Sequence, residues 1–203
     1  MSRNWEKCYQ DGETPWDRGG EAPPLLEILA RLGTAPWGGG PVLVPGCGIG
    51  HDVRALAAAG LAVVGLDVAP TAVAMARQYP AAGSEGYECG DFLKPSWLAG
   101  RGFSAIWEHT CFCAIDPAQR PAYARAAAAV LAPGRHLFGV FYLRPHRPGE
   151  PDDGPPFGVT VEGLDAVFGH WFERLDGWVP RRAYPGRKGR EWLAVYRRNA
   201  RPC

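Results

Sequence analysis

Residues 42–52 read Val42-Leu43-Val44-Pro45-Gly46-Cys47-Gly48-Ile49-Gly50-His51-Asp52, a short apolar run that enters three closely spaced glycines and then opens a helical pattern. The apolar run suits a strand buried on both faces, and Gly46, Gly48 and Gly50 let the backbone turn sharply and approach a ligand closely. The next apolar run, Ala62-Val63-Val64-Gly65-Leu66, ends in Asp67. That lies close to the roughly 20-residue spacing between a glycine turn and an acid that accepts hydrogen bonds from ribose hydroxyls. The pair predicts a nucleotide-like cofactor at the carboxyl edge of a wound α/β sheet.

The rest of the chain extends this pattern. Pro23 and Pro24 lead into an apolar helical stripe of Leu25, Leu26, Ile28, Leu29 and Leu32 that stops at Gly33. Beyond strand 42–45 the periodicity predicts a helix from about 50 to 59, strand 62–66, a helix from about 70 to 79, a short strand at 87–89 and strand 103–107. Pro117 is placed to open a helix that runs through an alanine-rich stretch to Leu131 and is ended by Pro133-Gly134; residues 135–142 follow as a strand. Residues 144–158 are dense in loop formers, among them Pro145, Pro148, Gly149, Pro151, Gly154, Pro155 and Pro156, and read as a lid or substrate loop. Stretches 171–178 and 191–196 read as a closing pair of strands.

At 203 residues the chain is long enough for one sizeable core and short for two, so a single domain spanning 1–203 is expected. With 22 basic and 21 acidic residues it has no global field to draw in nucleic acid or an anionic membrane. The N-terminal residues lack a signal-peptide core, and no segment approaches the ~20 apolar residues of a membrane span. A cytoplasmic monomer with a small-molecule partner is the expectation. Six cysteines (Cys8, Cys47, Cys89, Cys111, Cys113 and Cys203) lack a metal-knuckle spacing and read as reduced thiols, with Cys111 and Cys113 alternating as a strand or its end would. No metal is expected.

Gly46-Cys47-Gly48-Ile49-Gly50 alone could serve a dinucleotide. The carboxylate of Asp52 would oppose a pyrophosphate at that helix start, whereas a cationic sulfonium meets no such objection. Gly90-Asp91-Phe92 could present a carboxylate to an adenine amino group and an aromatic face beside the ring. Glu108-His109-Thr110 falls where the reactive end of the cofactor would lie.

Beyond these readings, the sequence resembles the class I S-adenosylmethionine-dependent methyltransferases, and among them the thiopurine methyltransferase superfamily with its plant thiol and halide methyltransferases. The resemblance covers nearly the whole chain. It rests on Trp5-Glu6-Lys7-Cys8-Tyr9, Thr14-Pro15-Trp16-Asp17, Val44-Pro45-Gly46-Cys47-Gly48, Gly65-Leu66-Asp67, Gly90-Asp91-Phe92, Cys113-Ala114-Ile115-Asp116-Pro117 with Arg120-Pro121, and Gly154-Pro155-Pro156-Phe157. It implies a Rossmann-like fold: a mostly parallel seven-stranded sheet with helices on both faces, and S-adenosylmethionine as cofactor. By the same resemblance Trp5, Tyr9 and Trp16, within an N-terminal arm and helix over 1–33, fold over the cofactor. Gly46, Cys47 and Gly48 lie beneath its methionine portion, Asp67 holds the ribose, Asp91 and Phe92 hold adenine, and Glu108 sits near the methionine end. Plant relatives tend to carry an Asp-Tyr pair where this chain has Glu108-His109, a departure that bears on their small-anion specificity.

The residues support small-molecule S-methylation, with His109 as the catalytic base toward a thiol and Glu108 as a cofactor ligand or as the orienter of that imidazole. An N-methyltransferase acting on a heteroaromatic such as imidazole or azole, and a silent cofactor-binding protein, are the alternatives. His51 is expected to face solvent. Arg181, Arg182, Arg187, Lys188 and Arg190 form a basic cluster that reads as a solvated surface, or as a contact for an anionic substrate.

Overall fold

The computed structural model describes residues 3–98, 100–146, 149 and 153–200. Pro148 and Pro151 of the expected lid, and Cys203, lie outside the described residues. Strands β1 (Val42–Pro45), β2 (Ala62–Asp67), β3 (Ser84–Cys89), β4 (Phe103–His109), β5 (Leu131–Tyr142), β6 (Phe172–Trp178) and β7 (Glu191–Arg198) form one sheet in the order β3-β2-β1-β4-β5-β7-β6. The β1–β2, β2–β3, β1–β4 and β4–β5 pairs are parallel, and β7 runs antiparallel to both β5 and β6. The helices are α1 (Trp5–Asp11), α2 (Pro23–Leu32), α3 (His51–Ala58), α4 (Pro70–Ala76), α5 (Arg120–Val130) and α6 (Val161–Phe168). This is the Rossmann-like methyltransferase architecture expected from the sequence.

Strand order reverses between β1 and β4, so the chain leaves their carboxyl ends in opposite directions and opens a crevice there. The central strands of the sheet are buried on both faces, and the period of two sorts their side chains cleanly. Val42, Val44, Ala105, Trp107, Phe138, Val140, Leu193 and Val195 face the layer that holds α2 and α3, with Leu25, Ile28, Trp37, Val53 and Leu56. Leu43, Ile106, Leu137, Phe141, Ala194 and Tyr196 face the layer of α5 and α6. Alanines 124 and 126–128 keep that layer thin enough for α5 to lie close to the strands.

Strand β3 begins earlier than expected, at Ser84, helix α4 ends earlier, at Ala76, and two further departures bear on the core. Helix α5 ends at Val130, before Pro133-Gly134, because Leu131 already pairs with Phe103 as the first residue of β5. Proline and glycine therefore sit inside an extended strand, where β4 and β5 shift register between Phe103 and Ala105. Helix α6 was not foreseen at all. Its start was nevertheless legible, since Thr160 caps it by accepting the Gly163 N–H at 3.0 Å.

Helix α6 supplies Phe168, fully buried, with ring centroids 5.6 Å from Phe112, 5.7 Å from Phe141, 5.9 Å from Phe172 and 5.0 Å from Tyr196. Replacing it with alanine leaves a cavity that so many rings cannot collapse into. Phe168→Ala is expected to destabilise the protein by about 3–5 kcal/mol, read from urea unfolding midpoints; a loss below ~1 kcal/mol would show that this cluster is not the centre of its core layer.

Candidate active site

A cavity of about 750 Å³ fills the crevice at the carboxyl ends of β1, β2 and β4, and is roofed by the N-terminal arm. Its size falls within the range of small-molecule sites. Of the expected site residues, Trp5, Tyr9, Trp16, Gly46, Cys47, Gly48, Asp67, Asp91, Phe92 and His109 all border it.

The roof is held by specific contacts. Glu6 accepts the Thr71 backbone N–H at 3.0 Å and its hydroxyl at 2.6 Å, which ties α1 to the start of α4. Trp16 Nε1 donates to the Tyr9 hydroxyl at 3.2 Å, and its ring meets Trp5 and Tyr9 edge to face at 5.2 and 5.8 Å. The Arg3 guanidinium lies 5.3 Å from the Trp5 ring centroid and 4.9 Å from that of Trp16, so these faces already hold a cation of the chain itself. Below them the turn passes through Gly46 and Gly48 with φ of 61° and 53°. A Cβ on Gly48 would come within 2.8 Å of the Tyr9 hydroxyl, so roof and turn fit together only through glycine.

Asp67 is buried at the end of β2, accepting the Gly48 N–H at 2.8 Å on one oxygen and the Ala69 N–H at 2.9 Å on the other. Each oxygen keeps a lone-pair direction for a ligand hydroxyl. Burial raises this carboxyl above its ordinary value, and the backbone N–H groups of Ala69, Gly48 and Val68 pull against that rise. The turn, Asp67, Asp91, Phe92 and the aromatic roof all line this one cavity, and their chemistry suits S-adenosylmethionine. Burial also raises the thiols of Cys47, Cys111 and Cys113, the last to about 12, so they border the cavity as neutral, soft walls. Cys111 and Cys113 lie in the turn after β4, beyond the strand end.

Glu108 requires correction. Alternation along β4 sends it with Ile106 into the α5–α6 layer, away from the cavity, while His109 follows Trp107 to the opposite face. There Glu108 accepts the Phe112 N–H at 2.7 Å and the Tyr123 hydroxyl, and braces the turn from beneath. It neither orients the imidazole nor offers surface to a cofactor.

His109 is oriented by Asp52 instead. The Asp52 Oδ2 atom lies 3.0 Å from His109 Nδ1 and accepts Trp107 Nε1 at 2.7 Å, and Oδ1 accepts the Ala22 N–H at 2.7 Å. Burial raises the Asp52 carboxyl, but His109, Trp107 and Ala22 together outweigh it and hold the group below its ordinary value. The imidazole stacks on Tyr184 at 6.1 Å and 25°. Thr110, directly after it, has a positive φ of 68°, a strained setting for a β-branched residue at the cavity wall.

His51 is half-buried and not turned to solvent: its Nε2 meets Asp17 at 3.1 Å, and Arg54 donates to its Nδ1 at 3.2 Å. The basic cluster divides. Arg181, Arg182 and Lys188 are exposed, whereas Arg187 borders the cavity, pairs with buried Glu191 at 3.2 Å and lies 5.0 and 5.4 Å from the ring centroids of Tyr142 and Tyr184. Tyr184 is not singled out by the sequence reading, which takes Asp52 only as a charge at the helix start and Arg187 only as one of a basic cluster open to solvent or to an anionic substrate. Nothing local marks Asp52, because its partners lie 30, 55 and 57 residues away.

With this geometry in hand, the sequence matches the family described as thiopurine S-methyltransferase over residues 1–176. The protein belongs to that family. It is therefore an S-adenosylmethionine-dependent methyltransferase. Thiocyanate methyltransferase 1 of Arabidopsis thaliana is 35% identical over 198 residues, covering 96% of this chain and 84% of the relative. Thiocyanate methyltransferase 1 of Brassica oleracea is 38% identical over 168 residues, 80% of this chain and 70% of the relative. Among solved structures, the N-methyltransferase NodS from Bradyrhizobium japonicum WM9 with S-adenosyl-L-homocysteine superposes at a TM-score of 0.69 and 18% identity, covering 97% of this methyltransferase and 99% of that chain, which shows the shared fold.

Burial pushes the Glu108 carboxyl up to about 7 from an ordinary 4.5, against the pull of Phe112 and Tyr123. A raised folded-state value means that the folded protein binds this proton more tightly than the unfolded chain. The resulting stabilisation is complete below the unfolded value and is lost as pH rises through about 7. Glu108→Gln removes the titration but keeps an acceptor for Phe112. The stability of wild type relative to this variant should fall by roughly 2–3 kcal/mol between pH 5 and 8, measured by urea unfolding at each pH; a flat difference would show that Glu108 does not titrate in that window.

Proposed function

We propose that this methyltransferase moves a methyl group onto the sulfur of a small thiol or similar soft nucleophile, with residues 1–203 acting as one catalytic unit and as a cytoplasmic monomer. Among the described residues no helix is long and apolar enough to cross a membrane. The observation that carries the reading is the position of His109: an imidazole on the wall of the cavity that the aromatic roof also borders, in a chain whose relatives bear the names thiocyanate and thiopurine S-methyltransferase.

The bound cofactor supplies an electrophilic methyl group on a positively charged sulfur. The protein's part is alignment and the removal of water from both reactants. Gly46 and Gly48 let the backbone come within contact distance of the methionine portion, Asp67 accepts from the ribose hydroxyls, and Asp91 and Phe92 take the adenine. Trp5, Tyr9 and Trp16 cover the sulfonium end with aromatic faces that attract a cation once water is excluded. His109 takes the proton of the acceptor. Tyr184, Arg187, Pro155 and Pro156 border the remaining space and form the acceptor's walls. The segment that carries the two prolines is anchored where Phe157 N–H donates to Cys113 O at 2.7 Å and Arg120 donates to the Phe157 and Gly158 carbonyls at 3.1 and 3.0 Å.

Trp16→Ala removes one ring of the roof and the partner of Tyr9. It should weaken S-adenosylmethionine binding about 10-fold, in keeping with one desolvated cation–aromatic contact, measured by calorimetry; unchanged affinity would place the roof away from the cofactor. Mass-spectrometric product analysis with S-adenosylmethionine and a panel of thiols, halides, chalcogen oxyanions and azoles tests the reaction itself. S-methyl products are expected. N-methyl azoles as the sole products, or no product from any acceptor, would overturn the reading.

A further inference from the structure

The Asp52–His109 contact has the form of a base and its orienter. Asp52 Oδ2 already accepts from Trp107 Nε1, a donor only, and an ionised carboxylate has no proton to give. At 3.0 Å the proton of the contact must therefore lie on His109 Nδ1, which leaves the lone pair of the neutral ring on Nε2. That second nitrogen is buried and has no hydrogen-bond partner among the described residues. A buried ring nitrogen without a protein partner calls for a partner from outside the chain, and the cavity that its ring borders is where one can enter. The ring borders the cavity and is fixed from both sides, by Asp52 from α3 and by the face of Tyr184.

We propose that Asp52 is a positioning residue that holds His109 in its Nδ1–H tautomer so that Nε2 takes the proton of a neutral thiol, and that the acceptor is a thiol protonated at neutral pH and not a permanent anion. The proposal rests on the S-methyltransferase reading above. A permanent anion such as thiocyanate or iodide brings no proton, so an oriented base adds nothing to its reaction. An alkyl thiol is only a few per cent thiolate near pH 7, and for it a positioned base raises the reactive fraction. In the step, a sulfur lone pair of the acceptor forms the new bond to the methyl carbon as the bond from that carbon to the sulfonium sulfur breaks. The electron pair of the broken bond stays on the departing thioether sulfur. The thiol proton passes to Nε2, and the imidazolium returns it to solvent when product leaves; no redox partner is needed.

The charged and titratable groups around the ring come from several elements. Asp52 is supplied by α3, and Glu108 lies on the opposite face of β4. Tyr184 stacks on the ring with Arg187, Glu191 and Glu21 in its own electrostatic surroundings, and Cys111 and Cys113 follow in the turn. Only Asp52 contacts an imidazole nitrogen among the described residues. An asparagine at 52 has a single carboxamide oxygen for the donors Ala22 N–H, Trp107 Nε1–H and His109 Nδ1–H, so its NH₂ must face a donor in either orientation, and the negative charge that supports the His109 imidazole is lost in both.

The test compares wild type, Asp52→Asn and His109→Gln with an alkyl thiol and with thiocyanate across pH 6–10, and records the ¹⁵N spectrum of the imidazole in the first two. Wild type is expected to show the Nδ1–H tautomer. In Asp52→Asn, kcat for the thiol should fall about 100-fold at pH 7 with KM little changed, the size expected of general base catalysis, and recover as pH approaches the thiol's own pKa. Thiocyanate turnover should change by less than about threefold, the scale of a lost contact that does no proton transfer. His109→Gln, which leaves the Trp107 and Ala22 contacts of Asp52 in place, should show the same selective loss and serves if Asp52→Asn does not fold. Equal loss toward both acceptors, wild-type thiol turnover in His109→Gln, or an Nε2–H tautomer in the wild type would overturn the proposal. Should wild type methylate no thiol at all, it is the S-methyltransferase reading that falls, and the tautomer in the same samples still decides the role of Asp52.

Discussion

The Asp52 carboxylate joins three separate stretches of chain. It receives the Ala22 N–H just ahead of α2, and the Trp107 and His109 side chains from β4, while its own backbone starts α3 directly after the glycine turn. A buried carboxylate without donors would be expensive, and with them it becomes a fixed point whose removal leaves several groups unsatisfied. The arm that roofs the cavity, the helix that begins at its floor and the strand that carries His109 are thus held to one another through a single side chain. The site needs those parts in register, because it lies where the sheet reverses and no one segment encloses it.

The sheet's two-faced burial explains how neighbouring residues come to do different work. Glu108 and His109 are adjacent in sequence, yet the pleat sends one into an aromatic core layer and the other toward the cavity. Glu108 supports the turn that follows β4 by accepting a backbone N–H from Phe112 and the hydroxyl of Tyr123. That turn carries Thr110, Cys111 and Cys113 along the cavity wall, so a carboxylate beneath the floor shapes the site without touching its contents. Gly46 shows how tightly the layers meet there, since a Cβ on it would come within 2.8 Å of Cys111 Cβ.

Much of this organisation is local and could be read directly. The apolar run into Gly46, Gly48 and Gly50 marks a strand turning into a helix, because backbone freedom and burial on both faces are properties of the residues themselves. Asp67 could be assigned from its distance to that turn, and Trp5, Tyr9, Trp16, Asp91 and Phe92 from their motif context; all border the cavity. The end of α5 was misplaced because Pro133-Gly134 is a strong breaker signal, whereas the helix had already stopped for pairing between Leu131 and Phe103, a contact invisible to local propensity. Helix α6 escaped notice beside a proline-rich stretch despite its Thr160 cap.

The sequence by itself determined the fold class, the cofactor edge of the sheet and most residues that line the cavity, since periodicity, glycine placement and strand-end acids act over short stretches of chain. Only the tertiary structure decided which acid serves the histidine. The choice between Glu108 and Asp52 depends on the face to which each strand or helix position points, and on partners brought together from 30 to 57 residues away. Likewise Arg187 reads as a surface charge until packing buries it against Glu191, Tyr142 and Tyr184. Side-chain chemistry is written residue by residue, but electrostatic partnership is a property of distance in space, and folding alone sets that distance.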